Sequence, residues 1–299
     1  MTRKRAVLLA GSITHLKAAV GGAVVLTGSH GATFVAAYAL RLGAGALVCH
    51  DAGLGLEHAG IAGLAMLDAH GIPAAAVSHD SARIGDADDM QLRGRISAAN
   101  AAARSLGVDE GQACRDAVAR LAAAADGSPV ENQAGYSAAV AAAQSGEAGA
   151  QADHRHVLGL VRCALFPEPV EIVCLDSASD ITAADAGKVV LTGSHGGLPA
   201  GETASAVKAG VRLVAFNDAG VGIDRAGIAR LPALDGLGIP GIAVAAASAR
   251  IGDGRSTYGT GRVSHVNALA ADLGIAPGET IRDILRPQSS APVRLKLAD

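Results

Sequence analysis

The octapeptide Val24-Val-Leu-Thr-Gly-Ser-His-Gly31 recurs as Val189-Val-Leu-Thr-Gly-Ser-His-Gly196, 165 residues further along. No other feature constrains the fold as strongly, because a repeat of this kind changes the meaning of every later motif. Downstream the interval widens to 167: Asp51-Ala-Gly53 returns as Asp218-Ala-Gly220, and Ala59-Gly-Ile-Ala62 as Ala226-Gly-Ile-Ala229. At that interval Gly71-Ile-Pro73 matches Gly238-Ile-Pro240, and Ser81-Ala-Arg-Ile-Gly-Asp86 matches Ser248-Ala-Arg-Ile-Gly-Asp253. Arg95, Ser97 and Asn100 likewise match Arg262, Ser264 and Asn267. A register held this long predicts a tandem duplication, with a first repeat over 1–126, an Ala/Gly-rich connector over 127–167 and a second repeat over 168–299.

Within each repeat, short Val/Leu/Ile/Ala runs alternate with amphipathic stretches of helical length. In the first these read as strands at Ala6–Ala10, Ala23–Thr27, Ala46–Cys49 and Ala74–Ser78, and helices near Phe34–Leu42 and Ala59–His70. A polar loop through Gly94 follows, then helices near Ile96–Leu106 and Gln112–Ala125, while the connector carries a helical segment at Ala152–Phe166. Continuous apolar strands alternating with helices predict an α/β fold, a Rossmann-like parallel sheet unit present twice with pseudo-twofold symmetry. With aromatics at 2% and no Trp, the core has to be built from Ala, Val, Leu and Ile.

In such sheets ligands bind beyond the carboxyl ends of the strands, which is where the shared polar blocks fall. Thr-Gly-Ser-His-Gly after a strand offers backbone N–H groups to an anion, so Ser29, Gly31, Ser194 and Gly196 are candidate substrate-binding residues, against the plainer reading of a capped turn. His30 and His195 are the candidate proton carriers, since a turn does not require an imidazole. Asp51 and Asp218 are candidates to orient them, or simply turn the chain through glycine. Arg83 and Arg250 suit a carboxylate or phosphate, or pair with Asp86 and Asp253; Ser264 and Asn267 cap a helix or face the same cleft.

Differences between matching positions also bear on function. The first repeat gathers His15, His30, His50 and His79, whereas the second has Asp180, Asn217 and Ala246 at three of those places and adds Arg255, Tyr258 and His265, a set suited to gripping an anion. His154 and His156 lie outside the repeat and receive no role.

The glycine runs lack the third glycine of a dinucleotide fingerprint, and no Gly-x-Ser-x-Gly elbow is present. No cofactor is predicted; a divalent metal assembled from separate strand ends stays open, since no histidine spacing within the repeats forms a strong motif. A net charge of −3 and a pI near 6.4 give no footprint for nucleic acid or an anionic membrane. The apolar run Ala6–Ala10 is too short for a signal core or a membrane span, which with four Cys lacking CxxC spacing predicts a cytoplasmic protein of reduced thiols. The sequence therefore points to an enzyme acting on a small polar, anionic metabolite, with amide or ester hydrolysis by His/Asp chemistry ahead of lyase or isomerase reactions, and a non-catalytic metabolite- or phosphate-binding protein as the alternative. A homo-oligomer is compatible with this reading.

Overall fold

A computed structural model describes residues 4–124, 154–201 and 207–287. The polypeptide is a mixed α/β protein with two sheets, one of five strands and one of six. The first runs β1 (Val7–Ala10), β2 (Val24–His30), β3 (Ala46–His50), β4 (Ala74–Val77) and β5 (Ile96–Ala99) in that spatial order. The second places β6 (Arg155–Val161), β7 (Val170–Leu175), β8 (Val189–His195), β9 (Leu213–Asn217), β10 (Gly241–Val244) and β11 (Val263–Val266) side by side. Within each sheet the inner pairs are parallel. The outer strands β5, β6 and β11 are antiparallel to their neighbours.

Both faces of each sheet are covered, as expected for continuous apolar strands. Val24, Leu26, Val48 and Val77 pack on one side of the first sheet and Val25, Leu47 and Ala76 on the other. Ile172, Leu191 and Leu213 pack against one face of the second, and Val173, Val190, Val214 and Phe216 against the other. Helices α1 (Thr33–Leu42), α2 (Ala62–Ala69), α3 (Ala87–Arg93), α4 (Ala101–Ser105) and α5 (Cys114–Ala123) accompany the first sheet. The second has α6 (Arg230–Gly236), α7 (Gly254–Thr260), α8 (Ala268–Asp272) and α9 (Ile281–Ile284). No helix among the described residues is long and apolar enough to cross a membrane.

Three expectations are corrected. The stretch Ile96–Leu106 is not one helix: β5 occupies its start and α4 its end, divided at Asn100. The Asn100 carboxamide accepts from Ala74 N–H and Ala103 N–H, both at 2.9 Å, and donates to Ile72 O at 2.8 Å, so one side chain ends the strand and starts the helix. Second, the polar loop before Gly94 contains α3, whose first turn is capped by Asp86 accepting from Asp89 N–H at 2.9 Å. Third, the segment expected to be helical around Ala152–Phe166 forms edge strand β6. A bulge at Gly159, at φ +105°, interrupts its pairing with β7. Connector residues 127–153, with 125 and 126 before them, and the chain beyond 287 lie outside the described residues.

The two sheets meet through the loops at their strand ends. Leu56 N–H donates to Ala246 O and Ile223 N–H donates to His79 O, each at 2.8 Å. At the centre, a Cβ on Gly53 would lie 2.8 Å from Gly220 Cα, so only glycine permits that approach. Ala32, Ala52, Ala59 and Ile84 pack with Ala219, Ala226 and Ile251 to seal the junction. The loops that make it are strained: Ala52, Leu54, Glu57 and His58 in one half, and Ala219, Val221, Asp224 and Arg225 in the other, all have φ between +50° and +63°. Non-glycine residues adopt this region only when the surroundings over-determine it.

Candidate functional site

A cleft of about 420 Å³ opens where the strand ends of the two sheets face each other. Its walls carry hydroxyls from Ser12, Thr14, Ser177, Ser179 and Ser194, and aromatic surface from Phe34 and Tyr38. At its floor is a recess of about 30 Å³ lined by both His30 and His195, so the two histidines share one site.

Each histidine is the last residue of a central strand, β2 or β8. Just before it the chain passes close beneath a turn of its own half. A Cβ on Gly28 would lie 2.4 Å from Gly85 C, and one on Gly193 2.3 Å from Asp253 N. Pairing with the next strand slips at the same point. The rings are buried, at 5% and 7% exposure. His30 Nδ1 accepts from Ala32 N–H at 3.3 Å and His195 Nδ1 from Gly197 N–H at 3.1 Å. An Nδ1 that accepts a hydrogen bond places the proton of the neutral ring on Nε2, making each imidazole a hydrogen-bond donor there.

The electrostatics keep both rings neutral. Burial, helped by the neighbouring His50, pushes His30 down to about 4. His195 is held well below the ordinary imidazole value by burial and then by Arg230, His30 and His50. Arg230 is 5% exposed, and burial lowers it to about 10, so it stays cationic at neutral pH. Its guanidinium donates to Gly197 O at 2.9 Å and lies over the Phe216 ring at 4.6 Å. Lys17, Arg41 and Lys208 bring further positive charge to the cleft, and among the described residues that line it Asp180 supplies a carboxylate. Burial raises Asp180 above its usual range.

The remaining residues proposed from sequence are placed elsewhere or occupied. Asp51 does not orient His30: it accepts from Gly53 N–H and His79 N–H and binds the His79 ring at 3.0 Å. Burial works to raise Asp51, but His79, His50 and the Gly53 N–H outweigh it and leave the carboxyl below its usual value. Asp218 likewise accepts from Gly220 N–H at 3.0 Å and Ala246 N–H at 2.8 Å, without a histidine. Asp218 follows the plainer reading, a carboxylate beside a glycine turn claimed by nearby backbone donors, whereas Asp51 combines that role with holding His79.

Gly31 N–H donates to His50 O and Gly60 O, and Gly196 N–H to Asn217 O, so neither is an open anion donor. Ser29 and Ser194 are not helix caps; their hydroxyls accept from Ile13 N–H at 3.0 Å and Ala178 N–H at 2.8 Å, anchoring the turns that form the cleft walls. Arg83 is engaged by Asp86, Asp89 and Asp224, and Arg250 by Glu57 and Asp253, so these arginines tie loops together and across the junction. Ser264 donates to Ala243 O, and Asn267 repeats the strand-to-helix role of Asn100. The anion grip expected from Arg255, Tyr258 and His265 is not assembled: Tyr258 packs with Arg282 and His265 bonds Ser264. Among the described residues, no group of three or more His, Cys, Asp or Glu is arranged to hold a metal ion.

Sequence reasoning passed over Arg230, which faces Gly63 at the matching position, and the pair His154–Asp176, in which Nδ1 lies 3.0 Å from the carboxylate. The Arg/Gly difference was readable from the repeat register. No known protein family, curated protein or solved structure matches this chain.

Proposed function

We propose that the protein is an enzyme that binds a small, anionic metabolite in the cleft between its sheets and hydrolyses an amide or ester bond there. The observation that carries this reading is the shared recess in which two buried, neutral imidazoles, each protonated on Nε2, lie beside a buried cation. Donors fixed in a dry site favour the negative charge that builds on a carbonyl oxygen during acyl transfer. A neutral imidazole donates without itself having to ionise. The cationic walls give the substrate an anionic group, and a volume near 420 Å³ suits a metabolite rather than a polymer.

We further propose that the halves descend from a duplication and are related by a pseudo-twofold axis that passes between Gly53 and Gly220. The reciprocal bonds Leu56 to Ala246 and Ile223 to His79 support it, as do the four left-handed residues at matching positions in each half.

The test is turnover of a panel of carboxylate-bearing esters and amides, followed by NMR. Removing one oxyanion donor typically costs about 10²–10³ in kcat, so folded His195→Phe and His30→Phe variants should each lose that much. Undiminished turnover in both would sink the mechanism. Binding without product over long incubation would favour the non-catalytic alternative.

A further inference from the structure

Asp176 and His154 face each other at the cleft mouth because β6 and β7 pair antiparallel with Arg155 opposite Leu175. Extended by one residue, that register brings His154 to Asp176, and Asp176 N–H donates to His154 O at 3.0 Å. The side chains then meet at 3.0 Å between Nδ1 and the carboxylate. A carboxylate only accepts, so His154 Nδ1 carries the hydrogen and Nε2 is the basic nitrogen. This is the opposite tautomer to that of His30 and His195. Two neighbours fix the arrangement. Gly254 N–H, at the start of α7, donates to the other carboxylate oxygen at 3.0 Å, and the His154 ring stands edge-on to Phe34 at 5.4 Å and 89°. His154 lines the cleft, together with Phe34 and Asp180. The residue matching Asp176 in the first half is Gly11, so only one half carries the pair.

We infer that His154 is the general base of the cleft and Asp176 its positioning residue. This rests on the hydrolytic reading above. His154 Nε2 takes a proton from a water molecule as the water oxygen bonds to the substrate carbonyl carbon, and the carbonyl π pair moves onto its oxygen, where the Nε2–H groups of His195 and His30 receive it. The pair then re-forms the carbonyl, the bond to the leaving nitrogen or oxygen breaks, and the proton on His154 passes to the leaving atom. Water and the ester or amide are the only reactants.

Two measurements test this. In protein labelled with ¹⁵N-histidine, His154 should show the Nδ1–H tautomer while His195 shows Nε2–H. Asp176→Asn, whose amide is forced by Gly254 N–H to turn its NH₂ toward His154, should move the proton to Nε2. With the p-nitrophenyl monoester of succinate as probe, His154→Gln and Asp176→Asn should each lower kcat by about 10²-fold or more with KM within about twofold. Asp116→Asn, exposed on α5 and outside the cleft lining, should keep the native kcat. An Nε2–H tautomer at His154 in the native protein, or a His154→Gln variant as active as the native protein, overturns the inference alone. A native protein inactive on every ester and amide of the panel overturns the hydrolytic reading and this role with it, which separates the two failures.

Discussion

Gly220 is the position where the junction can be tested most cleanly. Its φ is +74°, and a Cβ there would lie 2.9 Å from Gly53 Cα and 3.1 Å from His79 Cδ2. Gly187 has nearly the same φ, +75°, but a Cβ there would meet nothing within 4 Å. Alanine at Gly187 therefore suffers only the left-handed backbone cost, about 1–2 kcal/mol. Alanine at Gly220 suffers that and overpacking between two backbones, about 1–3 kcal/mol more. For a chain of this size each kcal/mol shifts Tm by about 2–4 °C, so Gly220→Ala should melt about 2–12 °C below Gly187→Ala in matched calorimetric scans. Because the strand-end cleft is built by the same loops, Gly220→Ala should also weaken binding of anionic ligands, which Gly187→Ala should leave intact. Equal melting temperatures for the two variants would refute the claim that the Gly53–Gly220 approach docks the sheets.

The His79–Asp51 pair predicts a pH signature. His79 is raised by its hydrogen bond to Asp51 against the effect of burial, so its contribution is full below the ordinary imidazole value and lost as pH rises through the raised one. Asp51 is lowered, so its contribution is full above the ordinary carboxylate value and lost on acidification through the lowered one. Urea midpoints of native and His79→Gln protein should thus differ most between about pH 4 and 6.5 and converge toward pH 9; a constant gap would contradict the pairing. Arg230→Met removes the cation next after burial in depressing His195, so His195 should titrate higher by NMR while staying below an exposed imidazole. Asn267→Ala leaves Gly241 N–H, Ala270 N–H and Ile239 O without their partner, a loss of about 1–3 kcal/mol. That variant should bind ligand as the native protein does, and a binding defect without a stability loss would restore Asn267 to the site.

The location of the cleft was legible in the sequence because strand periodicity and the strand-end rule are local. Runs such as Val24–Leu26 and Val189–Leu191 declare buried strands, and the histidines that follow, His30 and His195, fall at their ends. The partners of polar groups were not legible. Asp51 and His79 are 28 residues apart and meet only because β3 and β4 are adjacent, and nothing in the sequence distinguishes that arrangement from Asp51 beside His30. His154 and Asp176 were lost for a sharper reason. The stretch ahead of Phe166 reads as helical, and in a helix those residues would have no fixed relation, whereas the β6–β7 register sets them face to face.

The matched residues and the unmatched ones divide the work differently from what the repeat suggests. Asp51 and Asp218, Arg83 and Arg250, Asn100 and Asn267 spend their hydrogen bonds on turns, junction and strand ends, so they are shared because both halves need the same scaffold. Charge also reaches the cleft through positions that differ: Asp180 opposite His15 and Arg230 opposite Gly63, with Asp176, opposite Gly11, behind the cleft-lining His154. In the proposed hydrolysis, the buried cation and the Asp-held histidine, both in one half, would favour one orientation of the substrate over the two shared imidazoles. Gly63→Arg should accordingly fail to create a second anion site: its side chain would start 2.7 Å from Gly31 O, Ala32 O and Ala36 Cβ, so the variant should lose stability without gaining affinity.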